Sequence, residues 1–263
     1  MGRLGLRAAA LGYLAAILLA PVGMVFRRAF EQGFGRFWDA ITTPEAVHAL
    51  ELSVLVAAIA IVANTAFGVL CAVAIVRWKM PGRGLLNALV DLPLALSPVV
   101  VGLGLFLVYN SRTGWLGPWL EEHGVQMLFA LPSMILATVF VSLPFVVREV
   151  VPLLREIGTD QEEAASTLGA SGLAAFWRVT LPAIRWGVAY GVVLTTARAL
   201  GEFGAVSVVS GRIVGKTETL PLYVQDRYEA FDPVGANAAA VLLALLAVGT
   251  VLAMTLFKPR EGA

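Results

Sequence analysis

Apolar residues in this chain come in long runs rather than at the period of a soluble helix or strand. Six runs could each cross about 30 Å of hydrocarbon as a helix. They are Ala8–Phe26, Leu52–Val76, Leu85–Tyr109, Leu128–Val151, Gly187–Val209 and Ala236–Phe257. Arg3 and Arg7 precede the first as they would a signal-peptide core. No small-x-small cleavage site follows it, so this run is expected to stay as a helix.

Between the fourth and fifth runs the pattern changes to EEAASTLGASGLAAFWRVTLP, Glu162 to Pro182. Thr159-Asp160-Gln161-Glu162 fits a capping box, with the threonine hydroxyl on the first turn and the glutamate reaching back. The acids that follow suit a helix N-terminus. Gly169 can end that helix in the left-handed region, and Ser171 can cap the next one. In the second helix Leu173, Phe176, Trp177 and Thr180 share a face at i, i+3, i+4 and i+7. Pro182 then breaks into the fifth run. The insert is predicted as a water-exposed helix–turn–helix with a protruding, partly apolar corner.

Composition strengthens the membrane reading. Of 263 residues 59% are hydrophobic and only 14% charged, with a mean hydropathy of +0.82, where a soluble domain carries about a quarter charged residues. The expected class is an all-α polytopic membrane protein with six transmembrane helices. A net charge of +1 gives no field for nucleic acid. The single cysteine, Cys71, allows no disulfide or thiolate metal site within one chain, and His48 and His123 are isolated in polar segments. Counting Lys and Arg by loop, with the N-terminus inside, puts eleven on the inner side and seven on the outer. Arg77, Lys79 and Arg83 crowd one very short loop, so both termini are predicted to be cytoplasmic.

The insert also resembles a known motif. Glu163-Ala164-Ala165, three residues, Gly169, nine residues and Val179-Thr180-Leu181-Pro182 is similar to the EAA loop of ABC importer permeases. The departure is Val179 for isoleucine, which keeps the β-branched shape. The resemblance implies a type-I permease core over residues 50–257 with a cytoplasmic coupling loop at 156–186. Residues 1–49 would form the N-terminal tip, first helix and first periplasmic loop, and 258–263 a cytoplasmic tail. ARALGEFGAVSVVSG (Ala197 to Gly211) and TETLPLYV (Thr217 to Val224) resemble permeases for tetrahedral oxyanions. Among them the chain looks most like the W-type membrane subunits of sulfate/thiosulfate importers, with molybdate/tungstate permeases as the alternative.

That family implies a bacterial inner-membrane complex. A second homologous permease subunit, two cytosolic ATPase subunits and a periplasmic sulfate-binding protein would be the partners. ATP and Mg²⁺ would act on the ATPases, with no cofactor or metal in this chain. Carried over, Glu163, Ala164, Ala165, Gly169, Leu181 and Pro182 would dock the ATPase.

Charges inside membrane runs are expensive and face a bundle interior or a water path. Asp91, Arg198 and Glu202 are such charges. Gly187, Gly191, Thr195, Arg198, Glu202 and Ala205 form one small-and-polar stripe at steps of three and four, expected to face protein or a cavity. Arg198 and Glu202 are an i, i+4 pair. Either the pair fixes the helix, or Arg198, Glu202 and Thr195 border the anion path. Asp91, near the start of the third run, is expected to snorkel or cap. Pro93, Pro98, Pro132 and Pro144 are expected to kink their helices. SGRIVGKT (Ser210 to Thr217) mimics a P-loop, but three residues rather than four separate Gly211 from Gly215. A proton-coupled secondary transporter would need no docking motif. An intramembrane enzyme would need a nucleophile–base or metal set, and the sequence offers none. The chain is therefore expected to be a transport subunit rather than an enzyme.

Overall fold

A computed structural model describes residues 3–78 and 81–257. Lys79 and the expected tail at 258–263 lie outside the described residues. The elements run α1 (Arg3–Leu14), a π-turn (Ala15–Leu19), α2 (Ala20–Ala29), α3 (Phe34–Ile41), α4 (Pro44–Arg77), α5 (Arg83–Ala95), α6 (Pro98–Tyr109) and α7 (Gly117–Glu122). They continue as α8 (Leu131–Ser142), α9 (Pro144–Ile157), α10 (Asp160–Thr167), α11 (Gly172–Ala175), a second π-turn (Phe176–Thr180), α12 (Leu181–Leu200), α13 (Gly204–Val209), α14 (Leu220–Glu229) and α15 (Pro233–Phe257). All the regular elements among the described residues are helical.

Among the described residues four helices are long and apolar enough to cross a membrane: Ala9–Ala29, Pro44–Arg77, Leu131–Ile157 and Pro233–Leu252. The pair α5–α6 makes a fifth if it counts as one broken span. The single third span is therefore corrected to a broken pair: where Pro98 was expected to kink it, its halves meet at 111°. Leu96 and Ser97 are extended at the bend, because a residue before proline, here Pro98, is pushed out of the helical region. The fifth run is corrected too. Its helix stops at Leu200, and Gly201, Glu202 and Phe203 turn the chain into α13. Arginines, threonines and glycines leave α12 less apolar than the four.

α4 is the central pillar and begins two turns before the predicted Leu52. Thr43 caps it through a 3.2 Å bond from Ala46 N–H to its hydroxyl, and Pro44 opens the first turn. Ala46 and Ala49 there pack on Leu220, Tyr223 and Ala239. One core cluster, around Val56, Val101, Met134, Val141 and Val206, joins α4, α6, α8 and α13. Another, around Ile75, Val146, Val150, Leu154 and Ile184, joins α4, α9 and α12. Close approach needs glycine at both. A Cβ on Gly191 would lie 2.8 Å from Val146 Cα, and one on Gly102 2.7 Å from the Ala205 carbonyl. The predicted stripe is thus buried against protein at Gly187, Gly191 and Thr195. The first helix is held mainly at its far end, where Val25, Phe26 and Ala29 meet Phe37, Ala238 and Val241.

Candidate functional site: the coupling corner and the buried charges

Residues 158–182 form a corner that projects from the ends of α9 and α12. Gly169 sits at φ +86° and closes α10 in a Schellman motif. Ala170 N–H reaches the Ala165 carbonyl at 3.0 Å and Gly169 N–H the Ser166 carbonyl at 3.0 Å. Ser171 then caps α11, its hydroxyl accepting from Ala174 N–H at 3.3 Å. Glu163, Ala164 and Gly169 are exposed, while Ala165 is half-buried.

Two details depart from the sequence reading. The capping box does not form: the Thr159 hydroxyl donates to Glu163 Oε1 at 2.7 Å and makes no cap. Glu162 instead turns inward, where a stronger partner waits. Its carboxylate lies 2.9 Å from Arg77 Nε and accepts the Thr180 hydroxyl at 2.8 Å. Secondly, the predicted second helix is not one regular face. Leu181 N–H bonds the Phe176 carbonyl five residues back, so a π-turn rotates the face in two. Phe176 and Leu181 pack into the core and Thr180 is buried. Leu173 (71% exposed), Trp177 (61%) and Leu168 (90%) stay outside, an apolar patch next to Gly169. Pro182 does not break the chain as expected: α11, the π-turn and α12 run on as contiguous helical residues through it.

Arg77 was legible only as a loop charge. Its Nη1 donates to the Leu154 carbonyl at 2.9 Å and Nη2 to the Gly158 carbonyl at 2.6 Å, covering the orphan carbonyls at the end of α9.

The second candidate group lies at the end of α12. Arg198 Nη1 is 2.6 Å from Glu202 Oε2, and Glu202 Oε1 accepts Ala205 N–H at 2.8 Å. Glu202 is therefore buried at the start of α13, not on the helical stripe, and neutralises Arg198 while capping the next helix. Thr195 is fully buried and its hydroxyl has no partner among the described residues. Asp91 does not snorkel. Arg148 of α9 grips it with Nε at 2.7 Å from Oδ1 and Nη2 on Oδ2. Glu218, which the sequence reading passed over, is wholly buried between α13 and α14. Burial first, then the carboxyls of Asp226 and Glu45, push it up to about 7 against the pull of Arg227.

Comparison with known proteins places the chain in a family. Residues 64–262 match the model for the binding-protein-dependent transport system inner membrane component. The chain is 50% identical over 250 residues to the sulfate transport system permease protein CysW of Synechococcus elongatus, covering 95% of this chain and 87% of that one. It is 38% identical over 245 residues to the sulfate transport system permease protein CysT of Escherichia coli, covering 91% and 88%. A bacterial ABC transporter that imports the acidic polysaccharide alginate has the same fold, with a TM-score of 0.81 at 18% identity over 98% and 95% of the chains. With the EAA spacing on an exposed, glycine-closed corner and a multi-pass helical body beneath it, the chain belongs to the family of inner membrane components of binding-protein-dependent transport systems.

Proposed function

We propose that this protein is a membrane-spanning permease subunit of an ATP-driven sulfate/thiosulfate importer of the bacterial inner membrane. The observation that carries the reading is the 50% identity to a sulfate permease along 95% of the chain. Both termini face the cytoplasm and six spans cross the bilayer, α5–α6 and α12–α13 each counting as one broken span. The resemblance to CysT supports a second, homologous permease as partner, and the family's name supports a periplasmic binding protein. Two ATPase subunits, carrying ATP and Mg²⁺, dock on the corner around Glu163, Ala164, Ala165 and Gly169. Leu168, Leu173 and Trp177 supply apolar contact there. Leu181 and Pro182 complete the docking set where the corner meets α12.

The chain itself has no chemistry to perform. ATP closes the ATPase pair, the docked corners move together and the helices open outward to take the anion. ADP release returns them inward. Labelled uptake in a strain deleted for the gene, with sulfate as sole sulfur source, tests the reading. Loss of sulfate uptake, restored when the gene is returned, is expected; unchanged uptake in the deletion strain alongside lost molybdoenzyme activity would assign the chain to molybdate instead.

A further inference from the structure

Two charged rows face each other between α5 and α9. On α5, Arg83, Asn87 and Asp91 follow at steps of four, so they share one helical face. On α9, Arg148, Pro152 and Arg155 are exposed along one side at steps of four and three. Arg83 to Asp91 spans about 12 Å and Arg148 to Arg155 about 10.5 Å along their axes at the helical rise. The helices run antiparallel, so the rows match end to end. Asp91 meets Arg148 at the deep end. Arg83 and Arg155 both lie at the other, where with Ile75, Val76, Gly84 and Asn87 they line a cavity of ≈ 420 Å³. At about 30 Å³ per water, that holds roughly a dozen waters.

Three features of this seam point to an anion. Arg83 and Arg155 put two like charges on one cavity, and neither has an ion pair or hydrogen bond among the described residues. Like charges so placed repel unless something negative lies between them. The cavity opens at the end of α9 that carries the coupling corner. Asp91 is 30% and Arg148 46% exposed although they lie about two turns in from the Arg83 end of α5 and the Ile157 end of α9, a position too costly to present to lipid.

We propose that the seam is the inward exit of the oxyanion path. One tetrahedral dianion sits between Arg83 and Arg155 with Asn87 donating a hydrogen bond, and Asp91–Arg148 forms the constriction behind it. The inference rests on the functional reading above and adds the residues that handle cargo on the inner side. Asp91 holds Arg148 whenever no anion is there, so no charge is left bare. It also keeps the deep arginine from trapping the dianion, since conduction needs sites that release. Arg83 and Arg155, unopposed, draw the ion outward to the mouth, where water competes.

The test uses the complete importer without its binding protein, in phosphatidylcholine nanodiscs, with radiolabelled sulfate at equilibrium dialysis. Wild type is expected to retain sulfate. Arg83→Gln and Arg155→Gln should each weaken retention about tenfold, as removal of one charge-assisted contact does, with Arg→Lys at either position recovering most of it. Both side chains are exposed, so co-elution of the ATPases should be unchanged and confirms the variants are folded. Retention by the double variant equal to wild type overturns the site. Repeating the dialysis in discs containing phosphatidylglycerol separates the two sources of oxyanion. Undiminished sulfate retention supports the exit, and suppression by the lipid overturns it in favour of a headgroup-phosphate site. Failure of the wild-type complex to import sulfate with ATP would sink the functional reading instead, an outcome the dialysis does not depend on.

Discussion

Arg77 and Glu162, 85 residues apart, meet at 2.9 Å where the last turn of α4 reaches the first turn of α10. Around them the Leu154 and Gly158 carbonyls and the Thr180 hydroxyl complete one cluster. The cluster thereby ties the exposed corner to α4, to the end of α9 and to the start of α12. Hydrogen bonds to charged groups contribute about 2 kcal/mol each when half-buried, so Arg77→Ala should loosen the corner without unfolding the membrane body. The expected result is stoichiometric assembly with ATPase turnover that no longer drives uptake. Tight coupling in that variant would show that the cluster does not transmit the stroke.

Gly169 makes a narrower prediction. A Cβ there meets nothing within 4 Å, so Gly169→Val should cost only the left-handed backbone penalty of about 1–2 kcal/mol. That suffices to displace Leu168 and Leu173 on either side of the turn. Co-purification of the ATPase should fall sharply for valine and little for Gly169→Asn, which tolerates the left-handed region. Equal losses for the two would mean that the side chain, not the turn, matters.

How much of this was legible in the sequence differs by element. The Schellman glycine and the Ser171 cap follow from local chemistry, and the structure has both. Glu162 was misread because its inward partner, Arg77, comes from a helix far away in sequence, and a buried ion pair outcompetes a capping bond. The face containing Leu173 and Thr180 was split by the π-turn, which no spacing rule registers. The bend at Leu96–Ser97 was half visible in Pro98; its 111° angle is set by α6 packing on α13 at Gly102. Asp91 was assigned to snorkelling because Arg148 looked like a charge at the end of a run.

Arg198 and Glu202 should separate in mutagenesis. Glu202 neutralises Arg198 and also accepts the Ala205 N–H, whereas among the described residues Arg198 is engaged by the pair alone. Glu202→Ala should therefore destabilise the complex by about 1–2 kcal/mol for the lost cap, read as a fall in its thermal midpoint. If the pair only fixes structure, the double variant should transport as well as Glu202→Ala alone. Further loss of uptake in the double variant, at equal stability, would return Arg198 to the anion path.

Glu218 carries a pH dependence with a definite sign. It lies outside the candidate spans, 2% exposed, in the segment that joins α13 to α14. That segment is tied down by Thr217 to the Ser210 carbonyl at 2.6 Å, by Leu220 N–H to the Ser53 hydroxyl at 2.7 Å and by Arg212 near Asp226 at 3.9 Å. Folding raises the carboxyl from 4.5 to about 7, so the folded chain holds this proton more tightly than the unfolded one. The stabilisation is complete below about 4.5 and is lost as pH rises through about 7, where a buried carboxylate would be left beside Asp226 and Glu45. Tryptic cleavage after Arg212 and Lys216 in the detergent-solubilised full chain should accelerate between about pH 5 and pH 8, once corrected for the enzyme's own pH profile. Glu218→Gln keeps the shape and removes the charge, so its cleavage rate should be flat and slow over that range. Asp226→Asn, by taking away a repelling carboxyl, should move the wild-type transition to lower pH. A Glu218→Gln profile that still steepens near neutrality would place the titrating group elsewhere.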